Sequence, residues 1–592
     1  MTLGVWLRGR ARHMRSVGLC IAISLACPFG AQAQNDPDSL RAEAFEAAQL
    51  AVSSGAADAL AKMSARFAIG GDAIGQLAQS REALVARKAV LERQIGALYG
   101  GAATAAAQGS LQAQLNATTD DLARLDNTIA EEFPAYAELT NPRAVALKEV
   151  QGLLAPNEAL LFVLVNADAT YVWGVSNGTV AWARADDLGE AALRAKVSDL
   201  RLSMHAGSIE DPARGLSRMG RPTAAAGFDR ETAYELYRKL ILPVEGALAG
   251  KTTLITVTTG PLMSLPLAVL VASPAAKPGG SAAAVEDGAW LGDRYAMASL
   301  PAVSSLKALR CYLAPRPQDR PKACLQQKYK AVSQRRAGAA PLVGYGAPRL
   351  DGAPAELQDG MAPARDAPPA SELFSGALAD PDKLRALPYL PGAERELTAL
   401  QARYPTGVVR TLDLATETNL KTVDHDALQS ARYVIFSTHG VLAGSANLLG
   451  VDGKRELAEP GLVLTPPAAP TELDDGYLSA SEAAQLSLTA DFVVLSACNT
   501  AAAGGGPGDE GLSGLAKAFF YAGARSVLVS HWEVSDAATT ELITSTFSNL
   551  EARSVSGRAI ALQAAMKKVR AEPGFSNPYF WAAFELVGEA ER

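Results

Sequence analysis

Residues Val493–Thr500 read VVLSACNT: a short apolar run that stops on a cysteine. Such a run, bounded by polar residues, fits a strand covered on both faces, as the central strands of a parallel sheet are. Open α/β sheets bind and react at the carboxyl ends of their strands, so Cys498 falls where chemistry is expected. The competing reading is a thiol sealed in the core, because free cysteine is among the most buried residue types.

Two further runs share this design. RYVIFSTHG (432–440) ends on His439-Gly440, and RSVLVSHW (525–532) ends on His531-Trp532. If the strands are parallel neighbours, His439 and Cys498 leave the same rim. An imidazole beside a thiol raises its thiolate fraction and can later hand a proton to a leaving group. Gly440, without a side chain, lets its N–H face a reacting carbonyl; with the N–H of Cys498 it would form an oxyanion hole. A lone histidine at a strand end is commonly just a hydrogen-bonded structural residue, and His531 is the rival of His439 for the role of base. Only His439 is followed by glycine.

Outward from this centre, TTLITVTT (252–259), APLVGYG (340–346) and the runs above are short buried-type strands separated by helix-length segments such as EGLSGLAKAFFYAGA (510–524). That alternation predicts an α/β fold with a mostly parallel sheet and helices on both faces. EALLFVLVN, TYVWGVS and TVAWA, with Asn177-Gly178 between the last two, predict an antiparallel meander at the start of this domain. The Pro/Ala-rich stretches near 311–330 and 352–380 read as insertions or surface loops. Upstream, residues 34–140 read as an Ala-rich helical arm of hairpin or coiled-coil type, with Ile74, Leu77, Leu84, Leu91, Ile95 and Leu98 largely on one face. No 34-residue repeat is detectable, and a protein partner is the expected use of such an arm.

Residues 1–33 read as a signal peptide: four arginines, the apolar run VGLCIAISLAC and AQA before Gln34, with Met14 an equally good start. A periplasmic or secreted destination follows. Its removal takes away Arg8, Arg10, Arg12 and Arg15 and no acid, and moves the formal charge from −7 to −11. So acidic a chain is not built mainly for nucleic acid. Beyond the leader no apolar run is long enough to suggest a membrane span. Cleavage also removes Cys20 and Cys27, leaving Cys311 and Cys324, which a disulfide could join, and Cys498 as the odd thiol. Neither an H-E-x-x-H helix nor clustered Cys/His spacing occurs, so no metal is expected. The glycine-rich AAAGGGPGDEG (501–511) lacks the lysine of a phosphate-binding loop, G-x-S-x-G is absent, and no cofactor is expected.

The stretches YVIFSTHG, VVLSACNT, DEGLSGLAKAFFYAGARSVLVSHWEVSDAAT and NPYFWAAFELVGE, with YAELTNPRAVALKEVQGLL and GPLMSLPLAVL upstream, resemble the CHAT domain family, caspase-like cysteine peptidases related to caspases, separases and gingipains. The resemblance implies a caspase-like three-layer αβα sandwich over residues 141–592, preceded by the helical arm. It implies His439 as base and acid, Cys498 as nucleophile, and a protein or peptide substrate. It also makes Asp536 a candidate carboxylate for a basic side chain preceding the scissile bond, with Glu533 and Glu510 behind it. Two other outcomes stay open from sequence: a catalytically silent scaffold, and a thiol acyltransferase or amidase.

Overall fold

The computed structural model describes residues 37–50, 84, 87–88, 91, 105–132, 144–206, 228–274, 289–312, 319–324, 340–352, 373–375, 378–441, 460–497, 514–532, 535–552 and 557–591. The signal-like segment, most of the stripe from Ile74 to Leu98, and Cys498, Glu510 and Glu533 lie outside the described residues.

The strands come in chain order as β1 (Glu158–Val165), β2 (Thr170–Ser176), β3 (Val180–Ala185), β4 (Thr253–Thr258), β5 (Ala296–Ser299) and β6 (Leu342–Pro348). Next come β7 (Phe374–Ser375), β8 (Leu378–Ala379), β9 (Val408–Leu412), β10 (Tyr433–Ser437), β11 (Gly440–Val441) and β12 (Gly461–Val463). The last four are β13 (Tyr477–Ser479), β14 (Phe492–Ser496), β15 (Ser526–Ser530) and β16 (Phe584–Gly588). Eleven of them form one sheet in the order β3-β2-β1-β4-β5-β16-β15-β14-β10-β6-β9. Antiparallel pairing is confined to the β1–β2–β3 meander and the β15–β16 pair; the remaining neighbours are parallel. The meander turns at Asn177-Gly178, as its sequence predicts, and extends the main sheet from one end, because β1 pairs in parallel with β4.

The main helices are α1 (Pro37–Leu50), α2 (Ala105–Glu132), α3 (Leu147–Leu153), α4 (Glu190–Ala206), α5 (Pro391–Arg403), α6 (Gly514–Ala522), α7 (Asp536–Glu551) and α8 (Arg558–Ala571). Period-two alternation sorts the central strands between two cores. Val434, Phe436, Val493 and Leu495 pack with Leu515 and Phe519 of α6, while Tyr433, Ile435, Phe492 and Val494 pack with Leu397 and Leu400 of α5 and Leu542 and Phe547 of α7. Both faces are therefore covered, which gives the expected three-layer α/β architecture. Among the described residues no helix is long and apolar enough to cross a membrane.

The first helix of the arm docks on this body. Phe45 is fully buried against Phe162, with ring centroids 5.8 Å apart, a burial worth about 2–3 kcal/mol. Four residues on, Gln49 accepts from the Val145 N–H and donates to the Val145 carbonyl (2.9 and 3.0 Å).

Parts of the two Pro/Ala-rich stretches near 311–330 and 352–380 are described. At the end of the 352–380 stretch, β7 and β8 form a small hairpin, and Leu373 and Ala379 join a satellite core with Leu384, Leu387, Val441, Val463 and Tyr477. Cys311 and Cys324 are joined by a disulfide, with Cα atoms 5.3 Å apart, and both lie within the core beneath α3.

Candidate active site at the carboxyl rim of the sheet

Strands β10 and β14 are parallel neighbours, and their last residues, Ser437 and Ser496, pair directly. Thr438 carries the contact one step further by donating its N–H to the Ser496 carbonyl (3.2 Å). His439 therefore leaves β10 at the rim where β14 runs on towards Cys498, two residues past its last paired position. The close fit of β10 against β6 depends on Gly346: a Cβ there would lie 1.9 Å from the Ser437 carbonyl oxygen.

Beyond Thr438 the chain enters a second, three-stranded sheet, β11-β12-β13. The Thr438 hydroxyl donates to the Val463 carbonyl (2.6 Å), and the Val463 N–H donates to the His439 carbonyl (3.0 Å). Gly440 is then the non-hydrogen-bonded partner of Leu462 in an antiparallel ladder, so its N–H points away from β12.

Among the described residues one bond orients the His439 ring. Its Nε2 lies 2.7 Å from the carbonyl oxygen of Pro388, in the segment that leads into α5. A carbonyl only accepts, so Nε2 carries the hydrogen and Nδ1 holds the lone pair. Burial pushes the histidine below its ordinary pKa, partly opposed by the Pro388 bond, so the neutral, basic form prevails at neutral pH.

His531, the rival, has a different employment. Its Nε2 is 2.7 Å from a Glu585 carboxylate oxygen on β16, its carbonyl accepts from Arg201 of α4 (3.1 Å), and its own N–H donates to the Ala583 carbonyl (2.8 Å). The residue is buried and ties β15 to β16. Trp532 is likewise buried, with the Arg201 guanidinium over its ring.

Helices α5 and α7 meet by their amino ends at the rim. Asp536, the first residue of α7, pairs with Arg395 (3.3 Å) and accepts from the Gly392 N–H near the start of α5. Burial raises its pKa, opposed by Arg395 and then by that N–H. Asp536 thus already holds a cation, at the junction of two helices whose positive ends favour a carboxylate there. Glu533 and Glu510 fall outside the described residues, as does Cys498.

Glu396 was not anticipated. It lies on α5 and is 1% exposed; its Oε2 accepts from the Ser496 hydroxyl (2.9 Å), and the Ser437 hydroxyl also faces the carboxyl. The other oxygen, Oε1, makes no hydrogen bond of normal geometry. Burial raises the Glu396 pKa to about 8, the two hydroxyls opposing and Asp536 adding to the rise. A glutamate at a core-facing position between Ala393, Leu397 and Leu400 was the available signal, since such positions are normally apolar. Among the described residues no cluster of acids, histidines and cysteines could hold a metal.

Tetratricopeptide repeat protein 28 of Mus musculus is 36% identical over 113 residues, covering 19% of this chain and 4% of the mouse protein. Its Homo sapiens counterpart is 41% identical over 81 residues, covering 13% of this chain and 3% of the human protein. The chain therefore spans only a few per cent of the length of the curated relatives it matches. Among solved structures, the Saccharomyces cerevisiae separase–securin complex aligns with a TM-score of 0.41 at 10% identity, over 78% of this chain and 31% of that one. The Arg-specific cysteine proteinase gingipain R aligns with a TM-score of 0.33 at 10% identity, over 68% and 75%. Residues 230–589, more than half of the chain and all of the sheet from β4 to the last paired residue of β16, match the CHAT domain, and the chain belongs to the CHAT domain family.

Proposed function

We propose that the protein is an exported cysteine endopeptidase in which His439 and Cys498 act as a dyad. The observation that carries the reading is the His439–Pro388 bond, which leaves a neutral imidazole with its lone pair on Nδ1 at the end of the strand beside the one leading to Cys498. Nδ1 takes the thiol proton as Sγ attacks the scissile carbonyl. The C–N bond then breaks, the amine leaves with the proton returned by His439, and water cleaves the thioester to free the acid and the thiol. The Gly440 N–H, outside its ladder, and the Cys498 N–H serve the oxyanion. Export is supported by the 1–33 segment and by the Cys311–Cys324 bond, which suits an oxidising compartment and leaves Cys498 as the odd thiol of the processed chain. A basic substrate side chain at the position before the cut would compete with Arg395 for Asp536, with Glu533 and Glu510 as the candidate acids behind it.

The test is labelling of the protein with arginyl or lysyl electrophilic peptides and an aspartyl counterpart, followed by mass spectrometric mapping. The expected result is an adduct on Cys498 with the basic probe that disappears in His439→Ala. Aspartyl labelling would keep the peptidase and discard the basic pocket. No adduct from either probe, with Cys498 open to a small alkylating reagent and the fold intact, would point to a silent scaffold. Transfer of the acyl group to an amine in preference to water would make the enzyme an acyltransferase.

A further inference from the structure

We propose that Glu396 is a positioning residue for the dyad: through the hydroxyls of Ser437 and Ser496 it braces the ends of β10 and β14 and sets the approach of His439 to Cys498. The inference rests on the dyad reading of the proposed function. Three observations place the brace. Ser437 and Ser496 are partners in register, so one carboxyl from α5 reaches both. Each serine stands two residues before a dyad member. Just past this pair β10 continues into β11, which pairs with β12, and among the described residues the last backbone bond between the two chains is that of Thr438 to Ser496. The glutamate is placed at the end of the described ladder between the two strands.

The groups that face Glu396 fit this role. Among the described residues, hydroxyls come from β10 and β14, Asp536 comes from α7, and Arg395 of its own helix is turned to Asp536. With no cation beside it among the described residues, the carboxyl is held as the neutral acid up to about pH 8, and a neutral acid can both accept and donate a hydrogen bond. Once ionised it would set a buried negative charge at Ser496, two residues before Cys498, and a negative charge nearby disfavours a thiolate.

The experiment measures the rate of iodoacetamide alkylation of Cys498 in the full-length protein, mapped on its peptide, between about pH 6 and 10. The expected result for Glu396→Ala is a rate at neutral pH lowered about ten-fold, the dyad being misplaced. Glu396→Gln, which keeps the shape and the hydrogen bonds, should restore at least half of it. The ratio of parent to Glu396→Gln should be flat in acid and fall above about pH 8, where only the parent can ionise. That divergence should persist in Asp536→Asn, which separates it from the neighbouring carboxyl. An Ala variant that alkylates like the parent, a Gln variant as slow as Ala, or a flat ratio throughout would overturn the inference. If instead His439→Ala leaves the rate unchanged, the dyad reading itself fails, and that outcome is recognisable separately.

Discussion

The junction of α5 and α7 makes a sharp claim about Gly392. A Cβ at this position would lie 1.8 Å from Oδ1, 2.0 Å from Cγ and 2.2 Å from Oδ2 of Asp536, so all three nearest atoms belong to one carboxylate. In Gly392→Ala the least costly relief is rotation of that side chain away, which abandons the Gly392 N–H and Arg395. The orphaned N–H costs about 1–2 kcal/mol. Arg395 is half exposed, so its lost pairing adds only a few tenths. The expected loss is therefore about 1–2.5 kcal/mol, and sliding of the two helices apart would cost a similar amount. Asp536→Ala abandons the same N–H without a clash and should cost nearly as much. The double variant should be no less stable than Asp536→Ala alone, a coupling of roughly 1–2 kcal/mol read from urea midpoints in a double-mutant cycle. Additive losses, or a neutral Gly392→Ala, would refute the reasoning. The same pair separates two uses of Asp536. If that carboxylate receives a basic substrate group, Gly392→Ala lowers basic-probe labelling in step with Asp536→Ala; if it only joins the helices, labelling is spared while stability falls.

Replacing both Cys311 and Cys324 by serine should cost about 3 kcal/mol by freeing a closed loop of 13-residue separation in the unfolded chain, and a denaturation midpoint equal to that of the parent would contradict this. Arg310 donates to both oxygens of buried Glu158 (2.6 Å each) and pairs with Glu589 (3.0 Å), so Arg310→Met should cost about 3–5 kcal/mol by leaving two buried carboxylates without their cation. Glu589 is pulled down to about 2, burial opposing and Arg310 chief among the causes that lower it, so its contribution is fully present above the ordinary glutamate pKa of 4.5 and is lost as pH falls through 2. Glu396 has the opposite sign: with its pKa raised to about 8, the folded state binds the proton more tightly than the unfolded one, so its contribution is complete below 4.5 and is lost as pH rises through 8. Unfolding measured against pH should accordingly show a decline from acid to alkaline conditions that Glu396→Gln flattens.

Much of the architecture was legible because it rests on local patterns. The apolar runs of β10, β14 and β15 are buried along their full length, and a run of that kind is read without knowing its neighbours. The Asn177-Gly178 turn was legible for a similar reason, since a two-residue hairpin loop has few solutions. His439 and Gly440 were legible as a strand end and a following glycine. Their consequences were not: neither the Pro388 carbonyl that selects the tautomer nor the ladder that turns the Gly440 N–H outward leaves any trace in side-chain chemistry. Both depend on backbone brought from elsewhere, Pro388 from 51 residues away.

Glu396 marks a different limit. Its sequence neighbourhood, PGAERELTAL, holds two glutamates and an arginine on a helix, and charge on a helix is ordinarily solvated surface. Only the stripe Ala393, Leu397 and Leu400 shows that position 396 faces inward, and that stripe becomes informative once α5 is known to lie on the face of β10 and β14 that carries Ser437 and Ser496. The two serines were equally mute, because a serine before a strand end has no preferred reading by itself. Register joins them: Ser437 pairs with Ser496, and a single inward acid spans the pair. A buried carboxyl with no cation beside it works against stability at neutral pH, where an apolar side chain of similar size would pack at lower cost. Its presence at the paired ends of β10 and β14 is therefore better explained by the residues to which those ends lead, His439 and Cys498, than by the core it sits in.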